Sequence, residues 1–508
     1  MEIYETDVAI LLFALHIIKN LCYNNTSQVS CYNRQGSWLC ICTWNIVAVR
    51  GIIMSRASVR KEKWNITSGS VLKAILYFSI PYLFSYFLQT LYGMADLFII
   101  GQFNGVESTT AVSVGSQVMH MLTVIITGLA MGATVIIGRA AGAGDKSQAN
   151  KAVGNTAVLF MLLSIVFTII LSAAVKPIVH IMSTPAEAVT GTSVYLQICF
   201  AGIPFITAYN ITSSVFRGMG DSKSPMYFIA VACVFNILLD FIFIGVLKLG
   251  TAGAALGTTL SQAASVIVSF IFIIKRKMIP GICKMDFKLD KTVLGSILKI
   301  GFPIAVQDGF IQVAFIIITI FANRRGLNDA AAVGIVEKVI GIIFLVPSSM
   351  LSTVSALSAQ NIGARKHGRA KQTLKYATVI AVSFGITVTI FMQFAAEGTV
   401  GMFSGNGEVI TLGGQYMRSY VWDCIFAGVH FCFSGYFCAY GMSMVSFIHN
   451  FASIVFARIP LAYIASRYYL DTLFPMGIAA PAGSLLSVLI CVAAFIWMQR
   501  NPGRFENV

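Results

Sequence analysis

The chain has 508 residues, 57% of them hydrophobic and only 11% charged, whereas an ordinary soluble domain is about 25% charged. Its mean hydropathy of +0.80 excludes a soluble fold of this length, because only a bilayer can solvate so much apolar surface. The formal net charge of +15 would suggest nucleic acid in a soluble protein, but here Lys and Arg fall between apolar runs, which fits membrane topology and excludes a nucleic-acid partner.

Residues 1–53 stand apart. They hold Cys22, Cys31, Cys40 and Cys42 and two of the five tryptophans. The apolar stretch from Ala9 to Ile18 is too short to span a bilayer. Glu2, Glu5 and Asp7 ahead of it carry the wrong charge for a signal peptide. Met54 then opens a basic run, SRASVRKEKW. Residues 1–53 therefore read as an N-terminal extension, dispensable or the product of a misplaced start.

Twelve apolar runs follow, at 72–102, 109–134, 152–175, 191–215, 226–247, 253–275, 296–322, 330–358, 374–395, 411–439, 445–466 and 474–498. Lipid offers the backbone no hydrogen bonds, so each run is expected to be a helix. Alternate loops carry the positive charge. Arg56, Arg60, Lys61 and Lys63 come first, then Arg139, Lys146 and Lys151, then Arg217 and Lys223. The middle loop holds Lys275, Arg276, Lys277, Lys284, Lys288 and Lys291. Arg365, Lys366, Arg369, Lys371 and Lys375 follow, and Arg500 and Arg504 end the chain. The intervening loops have only Lys176, Lys248, Arg324, Arg325 and Arg467. This asymmetry puts both termini in the cytoplasm.

The most charged internal loop, near 276–295, divides the twelve runs into halves, and the halves resemble each other. GAGDKSQANKA from Gly142 lines up with GARKHGRAKQT from Gly363 at an offset of 221, which also aligns Tyr195 with Tyr416 and Gly220 with Gly441. Each half opens with a helix carrying an early proline, Pro81 or Pro303. The expected fold is an all-α polytopic membrane protein of twelve transmembrane helices in two pseudo-symmetric six-helix lobes, with a cleft between them. The N-terminal lobe would cover 54–275, a cytoplasmic linker 276–295, the C-terminal lobe 296–498 and a tail 499–508.

Ionisable groups at bilayer depth cost roughly 2.5–3.5 kcal/mol each on insertion scales, so each is a candidate for function. Asp96 follows Gln89 and Tyr92 on one helix face, and Asn236 and Asp240 are four apart on another. By helix direction, these carboxylates, Tyr195 and Thr258 all fall in the outer half of the N-terminal lobe. Two crowded carboxylates with an amide, a hydroxyl and a phenol suit one small hard cation or a shared proton; the alternative is that the aspartates merely brace helices. The second half lacks the pair, since Asn236 and Asp240 align with Ala457 and Leu461. Gln89, Tyr92, Asp308 and Glu337 are further candidates for the substrate cleft or for coupling, whereas Asp423 and Arg458 read as a structural ion pair. Six cysteines inside apolar runs behave as small hydrophobes, and none has metal-site spacing, so neither a structural metal nor a cofactor is expected. No P-loop, nucleophile elbow or HExxH motif occurs, which argues against an ATP-driven pump and against an enzyme.

Several motifs resemble one family. These are SIPYLFSYFLQTLYGMADLFIIGQ (Ser79 to Gln102), GRAAGAGD, FRGMGDSKSP (Phe216 to Pro225), GTAGAALGTTLSQ (Gly250 to Gln262) and, in the second half, SAQNIGARKHGRAK (Ser358 to Lys371). Together they resemble the multidrug and toxic compound extrusion (MATE) transporters across about residues 65–498. The resemblance implies a bacterial cell-membrane antiporter that expels organic, often cationic compounds as Na⁺ or H⁺ enters, working as a monomer by alternating access. The polar set of the family's DinF-like branch falls on Asp96, Tyr195, Asn236, Asp240 and Thr258, and Pro81 is the expected hinge. The alternative is a flippase for lipid-linked precursors, which would need cationic side chains in the cleft.

Overall fold

A computed structural model describes residues 66–276 and 281–505. The extension 1–53, the start of the N-terminal lobe at 54–65, linker residues 277–280 and tail residues 506–508 lie outside the described residues. Within them every apolar run is helical. Ten helices are long and apolar enough to cross a membrane, and two bent pairs complete twelve spans.

In chain order these are α1 (Val71–Phe103), α2 (Val106–Ala143), α3 (Lys146–Ala173), α4 (Ala186–Ala201 and Ile203–Gly218, bent by 48°), α5 (Lys223–Val246) and α6 (Gly250–Lys275). The second half comprises α7 (Lys291–Asn323), α8 (Leu327–Gly363), α9 (His367–Gly401), α10 (Gly407–Tyr420 and Asp423–Ala439, bent by 41°), α11 (Ser443–Tyr468) and α12 (Phe474–Arg500). The bent span is the fourth in each half. Starts are set by polar caps: Ser70, Asp145, Asp290 and Asn406 accept first-turn amides, satisfying donors that a helix start leaves open. Large apolar side chains such as Phe394, Phe98 and Ile169 face outward, as lipid contact requires.

Most helix pairings fall within one half of the chain, and those between halves run chiefly through α1, α2, α7 and α8. At about 1.5 Å per residue, α2 with its 38 residues is ~57 Å long, well beyond the ~30 Å hydrocarbon layer. Its second half forms much of the seam. It lies along α7 and the end of α8, and Gly132 and Gly301 let α2 and α7 touch backbone to backbone, the small-residue packing usual in lipid. By contrast Val189–Ala201, Leu327–Ile343, Gly407–Tyr420 and Ile459–Tyr468, all on the side away from the basic loops, pack chiefly within their own lobes. The two lobes therefore meet at the basic-loop end and part toward the other.

The last part of the linker docks on α3. Asn155 on α3 donates to the carbonyls of Asp286 and Lys288 and accepts the amide of Asp290 at 2.7 Å. Pro81 is buried within α1, which runs through it as one helix; Ser85 Oγ donates to its carbonyl at 2.8 Å.

Candidate functional site

The N-terminal lobe gathers its polar groups where α1, α5 and α6 converge. Asp96, Asn236, Asp240 and Thr258 are all buried. Thr258 Oγ1 donates to Asp96 Oδ2 at 3.1 Å, and Asn236 Nδ2 lies 3.4 Å from Asp240 Oδ2. The two carboxyls are close enough to feel each other's charge, with Asn236 near both. Local sequence explains the fit. Asn236 and Asp240 are one turn apart, and α5 opens into a π turn at Phe241–Val246 immediately after Asp240; such turns recur at functional positions. On α6, Gly257 leaves the space that Asp240 Oδ1 fills, so any side chain there would strike the carboxyl.

The chemistry is lopsided toward acceptors. Asp96 Oδ1, Asn236 Oδ1, Asp240 Oδ1 and Gln262 Oε1 are buried with no hydrogen-bond partner. Among the described residues, no Lys or Arg offsets the two carboxyls. Buried oxygens without donors are costly, and a proton or a small hard cation would satisfy them.

Tyr195, the remaining expected member, and the cleft candidates Tyr92 and Gln89 lie on neighbouring turns. Tyr195, buried on the first half of α4, approaches Asp96 but shares its hydroxyl with Ser116 at 3.1 Å. Tyr92 stands between Asp96, Cys199 and Gln262. Gln89 faces Tyr209 on α4 instead. Gln262, Ser116 and Gly257 belong to the site but escape the sequence reading. Gln262 could have been found there, one turn after Thr258 in GTTLSQ; the other two depend on packing between helices.

The C-terminal candidates are scattered. Asp308 lies on the inter-lobe seam, with Oδ2 against Gly128 of α2 and Oδ1 3.4 Å from Gln307 Nε2. Glu337 Oε2 accepts from Thr319 at 3.4 Å, near Arg458. Arg458 Nη2 is 2.7 Å from Asp423 Oδ2, a largely buried ion pair near Tyr420 and Tyr416, as the sequence suggested. Arg418 pairs with Glu397 at 3.1 Å.

Comparison with known proteins agrees with this architecture. The MatE family model matches twice, over residues 81–242 and 303–464. Each match opens at one of the two prolines noted above. A probable multidrug resistance protein, YoeA, from Bacillus subtilis is 26% identical over 86% of this chain and 96% of its own length. The multidrug export protein MepA from Staphylococcus haemolyticus is 25% identical, covering 85% and 93%. An FAD transporter from Shewanella oneidensis is 24% identical, covering 85% and 96%. Among solved structures, an outward-facing multidrug resistance MATE family transporter superposes with a TM-score of 0.80 at 23% identity, covering 87% of this chain and 98% of that one. Two family matches, one per lobe, on a twelve-span helical frame establish that the chain belongs to the MatE family, whose members are membrane transporters and not enzymes.

Proposed function

We propose that this protein exports organic, often cationic compounds across the cell membrane, exchanging them for Na⁺ or H⁺ by alternating access. One observation carries the reading: the acceptor-rich cluster of Asp96, Asp240 and Asn236 with Thr258 beside it, which no Lys or Arg offsets among the described residues. In the outward-open state, Asp96 and Asp240 take up the ion, with Tyr195 and Tyr92 closing the edges. Asp308 and Glu337 line or couple to the cleft. Uptake draws α1 toward α5 and α6, and Pro81 supplies the bend. The lobes then rock about their seam, and substrate has left before the ion does. The excess of basic residues on one side supports cytoplasmic termini, which makes the closed seam the cytoplasmic one. Relatives named for multidrug resistance and export support the cargo class. Nothing favours a flippase for anionic lipid precursors, since Arg458 and Arg418 are both engaged by carboxylates.

The test is efflux of a fluorescent organic cation from cells and its uptake into inverted vesicles, under Na⁺ and H⁺ gradients imposed separately. Transport driven by either gradient supports the reading and names the ion. Absence of transport under both, with protein in the membrane, overturns it.

A further inference from the structure

The seam at the basic-loop end is built twice, once from each lobe, with the halves exchanged. From α2, Arg139 donates Nε and Nη2 to the carbonyl of Ala439, at 3.0 and 2.7 Å. Ala439 ends α10 in the other lobe. From α8, Gln360 donates Nε2 to the carbonyl of Gly218 at 2.7 Å. Gly218 ends α4 in the first lobe. The offset of 221 that aligns Gly142 with Gly363 also carries Arg139 onto Gln360 and Gly218 onto Ala439. Each donor therefore reaches the acceptor that its repeat mate's own lobe supplies.

The surrounding backbone repeats in the same register. The Asp221 amide bonds Phe216 O at 2.8 Å, and the Met442 amide bonds Phe437 O at 2.8 Å; glycines with positive φ, Gly220 and Gly441, turn both corners. The Asp145 amide bonds Ala140 O and the Lys366 amide bonds Asn361 O, with Gly144 and Arg365 both left-handed. The contacts that hold the helices close are exchanged too: Gly142 lies against the carbonyl of Gln360, and Gly363 against that of Arg139. The acceptors are last-turn carbonyls, which a helix leaves without internal partners and which favour a cationic or amide donor.

We infer that Arg139 and Gln360 are paired positioning residues, a two-fold latch whose crossed bonds hold the lobes shut at this end and must both break when the transporter turns over. The inference rests on the alternating-access reading. Neither side chain contributes to the N-terminal polar cluster; each acts on it by biasing which face the lobes open. Because the bonds are side chain to backbone, the role depends on a donor at each position rather than on a particular partner residue. Arg139→Gln should therefore keep the latch, since glutamine does the same work at the equivalent place in the other lobe.

The test reads closure directly. Ser352, buried on α8 and bonded to Tyr86 of α1 at 2.8 Å, lies on the seam two turns deeper than Gln360. A Ser352→Cys reporter is placed in the full chain with Cys22, Cys31, Cys40, Cys42 and Cys283 replaced by serine. Labelling by a membrane-impermeant maleimide is then timed in inverted vesicles. Arg139→Ala and the near-isosteric Gln360→Glu, which replaces the amide donor by an acceptor, should each speed labelling roughly tenfold, the usual scale for losing such a bond. Arg139→Gln should label like the parent. Unchanged labelling in the double variant R139A/Q360E, or an Arg139→Gln that behaves as Arg139→Ala, would overturn the latch. Labelling needs no transported compound, so a parent chain that exports nothing would refute the proposed function and leave this result standing.

Discussion

The two lobes share a frame and differ in the charge they carry inside it. At the seam they match position for position, down to amide bonds in the turns. At bilayer depth they part. The N-terminal lobe buries Asp96 and Asp240 together with no cation against either among the described residues. The C-terminal lobe buries Asp423 directly on Arg458 and sets Glu337 nearby. Both arrangements adjoin a π turn: Asp240 precedes one, and Arg458 ends the other. An acidic site that lacks its counter-charge is poised to take one from solution; a site that already holds one is complete. On the proposed function, the two halves share the seam and differ in the ion chemistry assigned to one of them.

The widest gap between the lobes should appear on removing charge from the N-terminal cluster. Asp96→Asn and Asp240→Asn each keep shape and hydrogen-bonding reach but remove a site for proton or cation. Efflux in vesicles should fall to background, at or beyond the roughly 5–150-fold range of ordinary coupling energies, with protein amount and melting temperature in detergent unchanged. Efflux at the parent rate in both variants would break the comparison at its stronger end.

Next in size is the C-terminal ion pair, whose expected signature is stability. Arg458→Met strands Asp423 in a dry interior, and losing one partner of such a pair costs about 3–5 kcal/mol. The melting temperature should drop sharply. Replacing both, as Asp423→Leu with Arg458→Met, should recover most of the loss and retain efflux. If the double variant is stable yet inactive, the pair belongs to transport and the lobes are less unequal than their charges suggest.

Much of this contrast is legible in the residues. Apolar runs mark all twelve spans, because a bilayer enforces helix and length together. The repeat is visible in loops whose glycines and charges must turn the same corners twice. Asp96, Asn236, Asp240 and Thr258 can be brought together from helix direction and phase alone, since depth and face are set by counting along rigid helices. What counting does not reach is rotation between helices. It put Gln89 on the helix face of Asp96 without showing that packing sets it beside Tyr209, and it gave no sign of Gly257 or of Ser116 as the partner of Tyr195. The Asp423–Arg458 pair was foreseeable for a different reason: two opposite charges at depth have few other ways to be stable. The crossed seam bonds were hidden because their acceptors are backbone carbonyls, which no residue type announces.

One glycine in each lobe probes the same distinction more gently. At Gly257 an added methyl meets Asp240 Oδ1; at Gly477 it meets Ser419 and the Tyr416 carbonyl. Overpacking of this kind costs about 1–3 kcal/mol. Gly257→Ala should show that cost as weakened ion dependence, with the half-saturating ion concentration rising roughly tenfold for ~1.4 kcal/mol and little change in melting. Gly477→Ala should show the reverse, a lower melting temperature with ion dependence intact. Identical behaviour of the two variants would mean that the carboxyl and the carbonyl serve the same purpose.

The smallest effect is expected at Glu337, and it sets the sharpest limit on the comparison. Glu337 makes no direct salt bridge among the described residues, and its Oε1 is buried without a partner, so it is a remaining candidate for a second ion site. Yet Arg458 and Lys338 both lie within its electrostatic reach. A carboxylate already facing positive charge gains less from a bound cation than Asp96 or Asp240 does, because part of its field is spent. Glu337→Gln should therefore slow efflux only about twofold, the scale of ~0.5 kcal/mol typical of partly solvated pairs, and leave the choice of driving ion unchanged. A loss as complete as that of Asp96→Asn would place a working ion site in each lobe, and the chemical difference between them would then be one of tuning by Arg458 rather than of presence and absence.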